Sequence, residues 1–423
     1  MVASTFGMLA SIPGQTMGVG VFSEYLIFKT GLNRIELSLT YMMGTILSSL
    51  ILPFAGKLLD RIGGRMMIFA TGIGLGLSLL FFAQTVILIN TMSPVFSRFL
   101  PNGFFTLMVM TLAFMLLRQF GQGIMAMVSR NVLAKWFDEN RGLVTGISGI
   151  FVSFGFSVAP LGINILMNWL GFVDTILFLS VSCGFGMAIL GWLFFRDTPE
   201  ECGLFMDGRA DSNISEHSTT PVHDSTLSDA IRSYNFWIFC LGMCSSSLII
   251  TGFTFHIGSI AQTSGLSRMD AYAIFLPMSM VSVFSYFLSG WASDRMPLKY
   301  LLMTLLASLS IGCLGLLDFE TNWSRIIVII CFGIQGGVWG CLSLVTWPRF
   351  YGRMHLGAIS GLFMSCQVFS SAIGPTVFGT SEYLTGNYNN AAWVAVVLNI
   401  LLLIGSFKAK SFYRGKRYIS KGI

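Results

Sequence analysis

The chain has 423 residues, of which 54% are hydrophobic and only 10% charged, and its mean hydropathy is +0.74. Soluble globular chains carry about 25% charged side chains, so a sequence this poor in charge cannot coat a water-facing surface of its size. A soluble enzyme, a disordered scaffold and a disulfide-framework secreted protein are all poor fits. The main solvent of this chain is lipid.

A spanning helix needs roughly 20 apolar residues, so twelve helices with short loops would use most of the chain. Long continuous apolar runs such as Leu75 to Ile89 argue against the alternating pattern of a β-barrel. Helices satisfy their own backbone polar groups in lipid. The expected fold is therefore all-α and polytopic, with spans near residues 4–28, 36–57, 66–90, 104–133, 143–168, 174–195, 233–260, 269–291, 299–318, 325–347, 357–382 and 389–408. Met1 lies almost at the first span, without a basic leader or a small-residue cleavage site, so that span reads as a retained anchor. The eight cysteines form no CxxC pair and read as small residues at helix contacts.

The expected organisation is a six-helix bundle over 1–195, a polar linker over 196–232, a second six-helix bundle over 233–408 and a basic tail over 409–423. Placing the linker and the C-terminus on one side puts 19 of the 25 Lys and Arg residues there, and five on the other. That asymmetry predicts cytoplasmic termini and a cell-membrane location. It accounts for the net charge of +6 without nucleic acid.

The chain also repeats itself. Ile147-Ser-Gly-Ile-Phe-Val-Ser153 returns as Ile359-Ser-Gly-Leu-Phe-Met-Ser365, and Gly56-Lys-Leu-Leu-Asp60-Arg61 returns as Gly290-Trp-Ala-Ser-Asp294-Arg295. Two landmarks in the same order imply duplicated halves of parallel topology. Their offsets differ by 22 residues, and the excess falls around Thr91 to Phe105, read as a long loop.

Gly56-Lys-Leu-Leu-Asp60-Arg61-Ile-Gly63-Gly-Arg65, with its second copy at Asp294-Arg295, resembles the signature loop of the major facilitator superfamily. The resemblance implies a twelve-helix transporter in which Gly56, Asp60, Arg61, Gly63, Arg65, Asp294 and Arg295 form gating loops. A carboxylate there can latch onto a neighbouring helix end. The match departs at Gly64, where the family has a basic residue. Pro13 to Phe22, Asn131 to Phe137 with Arg141-Gly142, Phe255-His256 and Gly352 to Gly357 are similar to the monocarboxylate and oxalate/formate branch, which implies a small organic anion as substrate. Against that branch, Ser282 and Tyr286 stand where monocarboxylate transporters place an acid and an arginine in span eight, and span eleven has Gln367 and no lysine.

Arg118 is the charged residue in mid-span, where a guanidinium costs about 2.5–3.5 kcal/mol on insertion scales. Arg118, Gln122 and Met125 share one stripe at helical spacing, with Gln119 beside it. Two readings stand: a substrate or proton-linked residue, or an ion pair with Glu24. Arg-Gln-Phe-Gly-Gln-Gly places its glutamine one position late against the superfamily's span-four arginine motif. Gln15 sits beside Pro13 and Gly14, where a helix break would free carbonyls. His256 is a proton-coupling candidate or a packing residue. Tyr286, Gln335, Trp339 and Gln367 are polar positions that could line a pathway, and Asp270 reads as a helix cap.

No Walker loop, HExxH or metal cluster is legible, so no cofactor is expected and the chain is not read as an enzyme. The expected function is secondary transport of a small organic anion by a monomer, by proton symport or anion exchange. The alternatives are a proton-coupled exporter of amphipathic metabolites, with Phe22, Trp339 and the methionines in its cavity, and a transport-dead membrane sensor.

Overall fold

The structure, a computed structural model, describes residues 1–96, 101, 103–137, 141–208, 224–265 and 274–409, without the side chains of Glu24, Arg34, Arg141, Gln262 and Thr263. All regular structure among the described residues is helical.

The first span is broken. Helix α1 (Val2–Ala10) is followed by a 3₁₀ turn over Ile12–Gly14, then α2 (Thr16–Val21) and α3 (Ser23–Thr30). Pro13 has no N–H to continue the ladder, and Gln15 is extended at φ −81°, ψ 157°. Helix α4 (Arg34–Phe96) carries spans two and three, folded back at Gly63, whose φ of 79° suits glycine alone. Asn33 and Glu36 open it with reciprocal side-chain to backbone bonds, both 2.8 Å. Span three runs on to Phe96, beyond its expected end.

Span four consists of α5 (Phe104–Leu117), a π-helical turn over Arg118–Met125, and α6 (Ala126–Trp136). Helix α7 (Arg141–Leu170) follows, then span six as α8 (Phe172–Leu179), a second π turn over Ser180–Phe185, and α9 (Gly186–Phe194). The linker contains a short helix, α10 (Leu227–Arg232), started by a Thr226–Asp229 capping box. The remaining spans are α11 (Tyr234–Thr263), α12 (Phe275–Ser293), α13 (Leu298–Leu316), α14 (Asn322–Tyr351), α15 (Leu356–Thr385) and α16 (Asn389–Ser406). Ten stretches are long and apolar enough to cross a membrane. With the broken first span counted and α4 crossing twice, the twelve expected crossings are present.

Contacts group the chain into two compact units: Met1–Trp136, Phe151–Ser212 and Met354–Ala372 in one, Phe137–Ile150, Asn213–Arg353 and Ile373–Ile423 in the other. Glycines explain why the start of α15 joins the first unit and the start of α7 the second. In the first, a side chain on Gly56 would strike the Gly357 carbonyl and Gly361. In the second, Gly142 and Gly290 meet backbone to backbone in the same way. Small residues let helices touch where lipid offers no hydrophobic drive.

The first unit is centred on aromatic rings. Phe22 packs edge-on to Phe82 at 5.9 Å and to Phe172 at 5.8 Å, while Tyr25 stacks on Phe172 at 4.2 Å. Each such pair contributes about 0.5–1.5 kcal/mol beyond area burial. Phe22, expected in the exporter reading to line a cavity, is instead fully buried core. The second unit is centred on Phe236, Trp347 and Tyr351, with Phe253 against Phe332 at 5.1 Å.

Candidate functional site

Arg118 is 1% exposed and held by neutral groups. Its Nη1 donates to the Thr16 hydroxyl at 3.2 Å and to the Gly14 carbonyl at 3.4 Å, and its guanidinium lies 5.1 Å from the centroid of the Tyr41 ring. The break beside Pro13 presents the Gly14 carbonyl. Gly14 and Gly121 then bring spans one and four close enough to use it, since a side chain on either would strike the other backbone. The Tyr41 hydroxyl donates to Thr16 Oγ1 at 2.8 Å and closes the outer layer. Arg118 Nε is buried without a partner, and no carboxylate among the described residues pairs with Arg118. The Glu24 side chain lies outside the described residues.

The expected stripe of Arg118, Gln122 and Met125 rests on a 3.6-residue period, and the local helix does not have that period. Residues 118–125 form a π turn, whose i→i+5 bonds enclose one more residue per turn than an α-helix. A glutamine one place late in sequence thereby returns to the face of the arginine. Met125 is buried in the core. Gln119 turns toward span two, where its Oε1 accepts from Ser48 at 3.1 Å, and its Nε2 has no partner. Gln122 is half-buried with Oε1 unpartnered. Gln15 donates to Ser11 Oγ at 3.1 Å. The structure therefore brings Arg118 together with Thr16 and Tyr41, which sequence reasoning missed, since a threonine and a tyrosine in apolar spans carry no distinctive signal.

The second-half candidates form a separate group between α11 and α14. Gln335 donates to Ser246 Oγ, and Trp339 Nε1 donates to the Met243 carbonyl at 3.3 Å. Tyr286 is wedged between Gly149 and Gly340, either of which would collide with its ring if it carried a side chain. Its ring therefore packs helices. Gln367 is buried in the first unit with Oε1 unpartnered.

His256 joins three elements. A carbonyl can only accept, so the 2.9 Å contact with Pro375 O puts the proton on Nε2, and Nδ1 is left to accept from the Tyr388 hydroxyl at 3.4 Å. Asp270 lies outside the described residues.

The gating loops are built alike in both copies. Asp60 accepts from the backbone N–H of Gly357 and of Ala358, each at 2.7 Å, and so caps the first turn of α15. Asp294 accepts from Gly142 N at 3.3 Å, at the start of α7. Asp60 lies in the turn outside the two apolar segments; burial raises its carboxyl above the usual range, opposed by the two backbone donors. Arg65 anchors the turn through its N–H to Asp197 at 2.6 Å, its Nε to the Trp192 carbonyl at 2.8 Å, and its guanidinium over the Trp192 ring. Gly64 departs from the family pattern because a side chain there would collide with Val132. Arg61 is exposed, and Arg295 covers the Trp291 ring.

Arg349, unremarked in the sequence except as a basic residue, completes the second latch. It donates to the Ser293 carbonyl and pairs with Asp294 at 2.5 Å. Arg349→Gln is expected to destabilise the protein by about 1.5–3 kcal/mol, because Asp294 would keep its charge and lose its cation. Thermal melting of the purified protein reads this, and an unchanged midpoint would show the pair to be idle.

A helical bundle with twelve crossings, a duplicated loop latch on each copy and one buried guanidinium in neutral company is the build of a membrane transporter. The Major Facilitator Superfamily profile matches residues 5–375, and the chain belongs to that superfamily, whose members are transporters rather than enzymes. No curated protein matches significantly.

Among solved structures, the chain is similar to the proton:xylose symporter XylE bound to 6-bromo-6-deoxy-D-glucose, with TM-score 0.70, 13% identity, and coverage of 98% of this chain and 96% of that one. It is also similar to the E. coli fucose:proton symporter FucP (TM-score 0.63, 14% identity, 97% and 98% covered). A third is the human organic anion transporter MFSD10 (TM-score 0.61, 14% identity, 97% and 98% covered). At these identities the likeness is one of fold.

Proposed function

We propose that the chain is a secondary transporter of a small organic anion, with Arg118 as the cationic element of its binding site. One observation carries this reading: a guanidinium buried in a membrane span without a carboxylate partner among the described residues. Such a charge is costly in lipid, and intramembrane cations mark substrate pathways. An anionic substrate supplies the missing counter-charge, and the unpartnered Nε a donor for it. Thr16 and Tyr41 stand over the guanidinium, so binding requires that pair to part.

The latches suit alternating access. Asp60 and Asp294 each hold the first turn of a neighbouring helix by hydrogen bonds that can be released without leaving an unpaired group once water reaches them. His256, bonded at both ring nitrogens, serves as a tether between α11, α15 and the start of α16 rather than as a proton carrier. The charge asymmetry orients the termini and linker to the cytoplasm of a cell membrane.

A neutral sugar is the second reading, favoured by the carboxamides and tryptophan of the second unit and by the printed cargo of XylE and FucP. The deciding measurement is uptake into proteoliposomes of labelled mono- and dicarboxylates and of hexoses and pentoses, with and without an imposed pH gradient. Carboxylate uptake competed by other carboxylates is expected. Sugar uptake with no carboxylate uptake would reverse the assignment. Efflux of an amphipathic dye alone would return the exporter reading.

A further inference from the structure

We propose that the recess between the start of α11 and the end of α16 binds the headgroup of an anionic phospholipid. The recess has a volume of about 580 Å³ and is lined by Asp229, Arg232, Ser233, Tyr234, Asn235 and Lys408. Three features of this place point to a lipid.

The first is charge. Arg232 and Lys408 are exposed, and neither has an ion-pair partner among the described residues. The one acid in the lining is engaged elsewhere. Asp229 Oδ2 accepts from the Thr226 backbone N–H at 3.0 Å and from its hydroxyl at 2.6 Å, closing the capping box of α10. The site is therefore a pair of cations facing a shared space, which suits a phosphate diester.

The second is a fixed frame. The Tyr234 hydroxyl donates to the Gly405 carbonyl at 2.7 Å and ties the start of α11 to the last turn of α16. The Trp237 indole donates to the Ile231 carbonyl at 2.7 Å and ties the same segment to α10. Both walls are held before any ligand arrives.

The third is what continues from the recess toward the spans. Leu401, Ile404 and Phe407 are 62%, 60% and 67% exposed, at successive turns of α16, and Trp237 is 38% exposed beside them. Tyr and Trp collect at the headgroup level of a membrane, so the recess lies where the apolar spans give way to polar linker. A free phosphate has no use for the apolar strip below the cations. A phospholipid uses both, with its headgroup on Arg232 and Lys408 and its chains along α16. The sequence after Ala409 adds Lys410, Arg414, Lys416, Arg417 and Lys421 with no acid, which enriches anionic lipid in the surrounding leaflet.

The test uses the full-length protein in nanodiscs of equimolar phosphatidylcholine and phosphatidylglycerol, with native mass spectrometry counting the lipids that stay bound. Wild type is expected to retain phosphatidylglycerol several-fold over phosphatidylcholine. Arg232→Gln with Lys408→Gln is expected to cut that excess roughly tenfold, and Arg232→Lys with Lys408→Arg to keep it. Both variants change exposed side chains, and matching melting temperatures would exclude misfolding. An unchanged excess in the glutamine variant, or none in wild type, would overturn the proposal. Displacement of the lipid by millimolar inorganic phosphate would reassign the recess to a free anion and overturn it equally.

Discussion

Replacing Arg118 with glutamine is expected to lower organic-anion uptake about a hundredfold while leaving the melting temperature unchanged or raised. Removing one member of a buried charge pair typically costs 2–5 kcal/mol. Here the pair exists only with substrate bound, so the loss falls on transport. The stability result separates this role from a structural one. Arg118 is paid for by a threonine hydroxyl, a glycine carbonyl and an aromatic face, with Nε left over. Exchanging it for a neutral carboxamide relieves the resting protein of a desolvated charge. A structural ion pair would behave oppositely, because its carboxylate would be left alone in lipid. Arg118→Lys is expected to recover part of the uptake, since an ammonium keeps the charge but not the planar fork or the stacking on Tyr41. Wild-type uptake of several monocarboxylates by the glutamine variant would remove Arg118 from the site.

The second large effect is expected at Gly56. A side chain there meets the Gly357 carbonyl of α15, so Gly56→Val should force α4 and α15 apart at the end where Asp60 caps α15. Overpacking costs about 1–3 kcal/mol, enough to shift a two-state closure roughly thirtyfold toward the open form. The measurement is thiol labelling of Cys introduced at Ala358 from the linker side, together with uptake. Labelling should be slow in the parent and fast with Gly56→Val, and uptake should fall by at least tenfold. Gly162→Val is the control, because open space surrounds that position. Equal labelling in parent and variant would mean that this contact does not govern closure.

Much of the fold was legible because lipid imposes a simple rule on sequence. Twelve apolar runs, the Gly63 turn and the break beside Pro13 follow from hydropathy and from the backbone limits of glycine and proline. The repeated Gly-x-x-x-Asp-Arg segments pointed to both latches, and Asp60 and Asp294 do bond to neighbouring helix starts. What escaped was partnership across the chain. Arg349 lies 55 residues from Asp294, and one arginine among many at the linker-side ends gives no sign of which carboxylate it meets. Thr16 and Tyr41 are ordinary residues in apolar helices until Arg118 is placed between them. Gln335 and Trp339 did prove neighbours, one turn apart on α14, yet their partners on α11, Ser246 and the Met243 carbonyl, have no sequence mark.

The π turn at Arg118–Met125 sets more than the direction of one arginine. A turn that holds one surplus residue fixes the rotational phase of everything after it, so α6 is aimed by an insertion upstream of its own sequence. Asn131 Nδ2 meets Ser360 Oγ at 2.7 Å, and Gly7 packs against Ser129, only in that phase. Deleting any one residue of the turn would let the helix close as ordinary α and swing α6 by about 100°. Both contacts would be lost without either partner having been altered. Length in this stretch is thus as strictly encoded as composition.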